Sequence, residues 1–124
     1  MIEKITYIES HETSPYQNLA VEEHLLLHCA EKECILYLWQ NQHTIVIGRN
    51  QNAWKECLVS KLEEEGGHLV RRLSGGGAVY HDLGNLNYSF ITDVGDAERL
   101  TMERFTRPIV EALQGLGLQA EASG

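Results

Sequence analysis

The sequence predicts an α/β (α+β) protein in which a mostly antiparallel mixed sheet is packed with helices. Two observations carry that prediction. Short β-branched and aromatic runs alternate with longer helix-patterned stretches, in the order β-α-β-β-α-β-β-β-α-β. The 124 residues, 43% hydrophobic and 23% charged, suffice for one domain with one core.

The elements follow in order. EKITYIE (3–9) is a β-rich run. In SPYQNLAVEEHLLLHCA (14–30), Ser14 suits an N-cap, Pro15 the first helical position and Gln17 the far end of a capping box. Leu19, Ala20, Leu26, Leu27 and Ala30 recur at helical spacing and are expected to form the core face. CILYLW (34–39) and TIVIG (44–48) flank the polar QNQH (40–43), which predicts a β-hairpin. Asn52 caps a helix over AWKECLVSKLEEE (53–65), which Gly66 and Gly67 terminate. HLVRRL (68–73) and AVYHD (78–82) read as strands around a glycine loop, and LGN (83–85) turns the chain into the strand LNYSFIT (86–92). LTMERFTRPIVEALQGLGL (100–118) is helical up to Gly115 and Gly117. Its Pro108 either starts the main helix after a Thr106 cap or kinks a longer one. LQAEASG (118–124) reads as the opening of another strand, which suggests truncation.

Charge and composition narrow the function. A formal net charge of -8 disfavours general DNA or RNA binding. No apolar run approaches the ~20 residues of a membrane helix. MIEKITYIES lacks the apolar core of a signal peptide, so the expected location is cytoplasmic. Cys29, Cys34 and Cys57 form no C-x-x-C pair and read as reduced, mostly buried thiols. His24 and His28 share a helix face, but Leu25 stands where a zinc protease has glutamate and no third ligand is evident. No metal site is expected there. The acidic run at 63–65 is read as a solvated helix end.

The informative stretch is LVRRLSGGGAVYHDLGN (69–85), a locally basic spot with His68, Arg71, Arg72 and His81 around the glycines. No G-K-[ST] follows, so it is not a P-loop, and Tyr80 breaks the dinucleotide fingerprint that would start at Gly75. One reading is a glycine-rich hairpin turn. The other is a nest of backbone N–H groups that bind an oxyanion. A turn does not need three glycines, and Arg71, Arg72, Ser74 and His81 suit a carboxylate or phosphate. Strand alternation lets one of Arg71 and Arg72 face the ligand, the other facing water or an ion pair.

RRLSGGGAVYHDLGNLNYSFI resembles the signature of lipoate–protein ligases, R-R-x-[ST]-G-G-G-A-V-[FY]-H-D-x-G-N, without a break from Arg71 to Asn85. LYLWQNQHTIVIGRNQN, with Trp39 and Arg49, and NLAVEEHLL are similar to two further segments of that family. The resemblance implies a biotin/lipoate ligase catalytic-domain fold related to class II aminoacyl-tRNA synthetases. It implies lipoate and MgATP reacting to lipoyl-AMP, then transfer to a lysine of an acceptor such as the E2 subunits of 2-oxoacid dehydrogenases or the glycine-cleavage H protein. It further implies that Arg72 contacts the ligand and that Ser74, Gly75 and Gly76 belong to the loop over the adenylate. Gly77, Ala78, Val79 and Tyr80 would contact nucleotide, His81, Asn85 and Arg49 would lie near the ligand, and Trp39 would line the slot for the lipoyl tail.

One departure stands out. The family's essential lysine belongs to a later G-x-K-x-[ST]-G motif, and none of Lys4, Lys32, Lys55 and Lys61 has that context. Residues 1–124 are therefore expected to be the N-terminal portion of a catalytic domain, without the rest of that domain or the C-terminal accessory domain, and inactive alone. The rival readings are an octanoyl or lipoyl transferase of the same fold that uses no ATP, and a non-catalytic lipoyl- or nucleotide-binding module working with a partner chain.

Overall fold

The computed structural model describes residues 2–93 and 102–123. The chain forms two compact units, Met1–Asp93 and Val94–Gly124. The first contains β1 (Lys4–Glu9), α1 (Pro15–His28), β2 (Glu33–Trp39), β3 (Thr44–Ile47), α2 (Ala53–Glu56), α3 (Val59–Glu64), β4 (His68–Arg71), β5 (Val79–His81) and β6 (Asn87–Thr92). The mixed α+β class expected from the sequence is what forms, with parallel and antiparallel pairings in equal number rather than mostly antiparallel. Its strands divide between two three-stranded sheets, ordered β1-β2-β6 and β4-β3-β5. Each central strand has one parallel neighbour (β1 on β2, β4 on β3) and one antiparallel neighbour (β6 on β2, β5 on β3).

The expected hairpin of residues 34–48 does not form. Both edges of β2 and both edges of β3 are taken by other strands, so residues 40–43 cross from one sheet to the other. The crossing is held from inside: Asn41 is fully buried, Gln42 N–H donates to the Thr13 carbonyl (3.1 Å), and His43 takes a φ of 36°. Hydrophobic pattern marks a strand without naming its partner. QNQH also lacks the Asn-Gly or Gly residues that a tight hairpin favours. Alternate residues of β2, Ile35, Tyr37 and Trp39, are buried, and Ile35 pairs with the buried Ile91 of β6. Val46, Ile47, Val70, Val59 and Leu62 supply the buried apolar side chains of the second sheet and of α3.

α1 turns a different face inward from the one its leucines suggest. Pro15 and Asn18 are buried, and Glu22, Leu25 and Cys29 are half-buried, a stripe at steps of four, three and four from Asn18. Leu26 and Leu27 are 53% and 71% exposed, and Ala20 and Ala30 are exposed too. The inner stripe carries an amide and a carboxylate that find hydrogen bonds inside, so an apolarity count points elsewhere. Ser14 occupies the N-cap position but makes no side-chain cap bond, so the capping box with Gln17 is absent. The helix expected over 53–65 breaks at Cys57 (φ -149°, ψ 160°) into α2 and α3. Asn52 caps α2 by accepting from the Trp54 N–H (3.0 Å). At the end of α3, Gly66 has φ 73°, and the Gly67 N–H donates to the Leu62 carbonyl (2.8 Å), the left-handed ending for which glycine is suited. All three cysteines are half-buried, less enclosed than expected.

The second unit contains α4 (Met102–Gly115), which runs through Pro108 as the longer of the two helices considered. Thr106 lies inside it rather than capping it, and Leu100 and Thr101 lie outside the described residues. Gly117 (φ 84°) ends the helix, with the Leu118 N–H on the Leu113 carbonyl (3.1 Å). The strand expected at 118–124 is absent from residues 118–123, and Gly124 lies outside the described residues. A β-prone run becomes a strand only by pairing. Here the Ala120 carbonyl instead accepts from Gln114 Nε2 (2.9 Å), folding the segment back on α4.

Candidate ligand-binding site at the glycine loop

β3 and β4 end side by side, with Ile47 opposite Arg71. β5 lies on the far side of β3, so the glycine segment crosses the end of β3 rather than turning a hairpin between β4 and β5. That removes the hairpin-turn reading. Beyond the strand ends, side chains take over from the ladder. Arg71 Nη1 lies 3.1, 3.0 and 2.7 Å from the carbonyl oxygens of Gly48, Arg49 and Gln51. Arg71 is exposed, as strand alternation allows, and rather than entering an ion pair among the described residues its Nη1 lies over a turn of backbone carbonyls. Arg72 donates to the Gly75 carbonyl from Nε (3.2 Å) and Nη2 (2.8 Å), to the Gly77 carbonyl from Nη2 (2.8 Å), and to the Val46 carbonyl from Nη1 (3.4 Å). Charge-assisted bonds of this kind are the strong ones. The turn and the loop are also joined directly, by the Arg49 N–H on the Ser74 carbonyl (2.9 Å).

The three loop glycines are not equivalent. A Cβ on Gly48 would run into the Gly76 carbonyl, so these two backbones are interlocked. Gly76 has φ 99°, and a Cβ there would meet Arg72 Nη2 at 2.7 Å. Gly76 is thus required by the loop's own geometry. At Gly75 and Gly77 a methyl would meet nothing within 4 Å, so their small size serves nothing inside the chain. The carbonyls of Gly75 and Gly77 are held by Arg72 and that of Gly76 packs on Gly48, while the N–H groups of all three find no acceptor among the described residues. The loop's acceptors are engaged by the protein while the donors of these three exposed glycines are left unpartnered, the polarity an anion requires.

The remaining residues singled out from sequence fall into two groups. Ser74, Ala78, Val79 and Tyr80 are exposed along the loop and β5, with the Tyr80 hydroxyl on His43 Nδ1 (2.8 Å). Arg49 is exposed, and its guanidinium makes no hydrogen bond or ion pair among the described residues. Trp39 and His81 are buried and meet edge to face, ring centres 5.9 Å apart. Trp39 Nε1 donates to Ser89 Oγ (3.1 Å), whose hydroxyl donates to Glu22 Oε1 (2.6 Å). Asn85 is half-buried and donates from Nδ2 to Asn87 Oδ1 (3.0 Å). Asn87, opposite Trp39 in the β2–β6 register, keeps a buried Nδ2 with no partner among the described residues. Burial, and then the nearby Arg72 charge, push the His81 imidazole below its ordinary pKa. His24 and His28 stack at 4.2 Å on the exposed side of α1, and no metal-holding group of three or more His, Cys, Asp or Glu occurs among the described residues.

Sequence reasoning missed Gly48, Asn18, Glu22, Asn41 and Ser89. Gly48 closes an apolar strand and was legible only as its end. For Asn18 a signal existed, a short amide within a helix interior where it disfavours the helix unless bonded elsewhere.

Residues 14–124 match the family described as Lipoyl protein ligase A/B catalytic domain. The chain is 50% identical over 111 residues to the lipoate-protein ligase LplJ of Bacillus subtilis (strain 168), covering 89% of this chain and 33% of that protein. It spans about a third of the length of the curated relatives it matches. Among solved structures it is similar to P. falciparum LipL1 in complex with lipoate (TM-score 0.84, 30% identity, 97% of this chain and 39% of that one). It is also similar to a lipoate-protein ligase A bound with ATP (TM-score 0.82, 29% identity, 100% and 51%). A third is a bi-partite lipoate protein ligase, studied with its E2 lipoyl domain, from Thermoplasma acidophilum (TM-score 0.81, 29% identity, 99% and 49%).

Proposed function

Because this chain belongs to the lipoyl protein ligase A/B catalytic-domain family, we propose that it carries the ligand loop of an ATP-dependent lipoate–protein ligase. Residues 1–124 are then the N-terminal portion of the catalytic domain, acting in the cytoplasm. The observation that supports this reading best is the glycine loop, with three exposed glycines whose N–H groups are unpartnered among the described residues and whose carbonyls are engaged by the protein. A lipoate carboxylate oxygen attacks the α-phosphorus of ATP, and pyrophosphate leaves with the electron pair of the broken P–O bond. Two anions must meet for that step. The loop amides, the unengaged guanidinium of Arg49 and the charge of Arg72 held against the loop offset their repulsion. Ser74, Ala78, Val79 and Tyr80 lie along the nucleotide, and Trp39, His81 and Asn85 face the acyl end. Magnesium would arrive with ATP on its phosphates and would offset part of their charge. In the second step a lysine amine of a lipoyl acceptor domain, such as an E2 subunit or an H protein, displaces AMP from the lipoyl carbonyl.

The test is lipoate-dependent ATP–pyrophosphate exchange by a chimera in which residues 1–124 replace the matching third of the Bacillus subtilis ligase, beside the chain alone. Exchange by the chimera is expected, with the chain alone slower by about 10²-fold or more for want of the family's lysine. Acyl transfer from an octanoylated carrier in the absence of ATP, with no exchange, would replace this reading by the transferase.

A further inference from the structure

His81 is the terminus of a buried chain of side chains that begins at Ser10. Asn18, fully buried in α1, places Nδ2 against the Glu12 carbonyl (3.0 Å), the Gln40 carbonyl (2.8 Å) and Asn41 Oδ1 (3.0 Å). Two backbone carbonyls at one atom identify it as the nitrogen, because an oxygen there would have no donor. Asn18 Oδ1 then accepts from Ser10 Oγ (2.6 Å) and the Tyr37 hydroxyl (3.2 Å). Asn18 Nδ2 shares two hydrogens among three acceptors, and an Asn41 amide nitrogen 3.0 Å away would set donor against donor, so Asn41 presents its oxygen there and its other end is the amide nitrogen. That nitrogen lies 3.1 Å from His81 Nδ1. A donor facing Nδ1 requires Nδ1 to be the unprotonated nitrogen, and the ring proton then sits on Nε2.

We propose that Asn18 and Asn41 are positioning residues that fix His81 as the neutral Nε2–H tautomer, so that it offers a hydrogen-bond donor to a ligand oxygen and cannot act there as a general base. Nε2 has no partner among the described residues, and it is not among the buried polar atoms sealed off without one. The depressed pKa of the ring agrees with a neutral imidazole beside Arg72. A neutral donor suits a site that already holds a fixed guanidinium, because it adds a hydrogen bond to an oxyanion without adding a second buried charge. The donor role rests on the ligase reading above; the tautomer does not.

The experiment is nitrogen-15 NMR on the labelled 124-residue chain at neutral pH. His81 Nδ1 is expected to resonate as an unprotonated, pyridine-type nitrogen and Nε2 as a protonated one, with a scalar coupling across the Asn41 Nδ2–His81 Nδ1 hydrogen bond. A protonated Nδ1 in the unaltered chain overturns the proposal outright, and needs no variant. Asn41→Asp is close to isosteric and can only accept, so Nδ1 is expected to become protonated in it. An unprotonated Nδ1 in a folded Asn41→Asp chain would show that Asn41 does not set the tautomer. In the Bacillus subtilis chimera, Asn41→Asp is expected to lower lipoate-dependent exchange at least tenfold, and exchange within twofold of the parent overturns the donor role. The NMR result stands whether or not the parent chimera activates lipoate, so failure of the relay and failure of the ligase reading are distinguishable.

Discussion

The two sheets share one plan and are finished differently. Each has a central strand with a parallel neighbour on one side and an antiparallel neighbour on the other. In β1-β2-β6 the pairings run six residues on both sides, and the backbone ladder does most of the holding. In β4-β3-β5 they run four and three residues, and the chain beyond them is stitched by Arg71 and Arg72 onto carbonyls. A ladder consumes N–H and C=O groups together. Arginine consumes carbonyls alone, so the short sheet is the one able to end in a row of free amides.

The largest effect is expected where the short sheet locks to its loop. Gly48→Val drives a side chain into the Gly76 carbonyl. It should destabilise the chain by on the order of 3 kcal/mol, at the top of the range for overpacking, in urea unfolding. A loss below about 1 kcal/mol would mean that the loop is not locked to β3. Next come the stitches. Arg71→Ala and Arg72→Ala should each cost about 1.5–3 kcal/mol, since each leaves several carbonyls without a charged donor. In the longer sheet, Lys4→Ala removes only the edge ion pair with Glu33 and should cost less than about 1 kcal/mol. Equal losses at Lys4 and the two arginines would erase the distinction between the sheets.

Gly75→Ala sharpens the contrast within the loop itself. Nothing in the chain opposes a methyl there, so stability should change by less than about 1 kcal/mol. Binding of ATP, followed calorimetrically in the chimera, should weaken markedly. Unchanged affinity would show that ligand does not approach that face of the loop.

The smallest effect is a difference in pH windows. His81, at the end of β5, has a pKa below its ordinary 6.5 through burial and then Arg72. Protons therefore favour the unfolded chain, and stability present above about pH 6.5 is lost as the pH falls through and below it. Glu33, in β2, is held below its ordinary 4.5 by the Thr6 hydroxyl, then the Ala30 N–H, with a smaller contribution from Lys4. Its contribution is present above about pH 4.5 and is lost only on further acidification. Unfolding followed from pH 7 to 3 should therefore lose stability in two stages, with His81→Gln flattening the upper stage and Glu33→Gln the lower. A His81→Gln profile parallel to the parent near pH 6 would exclude His81 as the source.

What the sequence determined by itself was local. The β-branched runs became strands, Asn52 a cap, Gly66 and Gly117 left-handed helix ends, because each of these is decided by a few neighbouring residues and their backbone preferences. RRLSGGG reads as a candidate anion loop for the same reason, since three small residues beside two guanidiniums are informative without coordinates. Which strand lies beside which was decided only by the tertiary structure. Residues 34–48 carried two good strands and no record of β6 or β4, whose pairing is settled by distant burial and not by the link between β2 and β3. The inner face of α1 was hidden likewise, because Asn18 and Glu22 become interior residues only when Ser10, Tyr37, Asn41 and Ser89 arrive from elsewhere to bond them. Polar groups can be buried only in company, and that company is assembled by the fold.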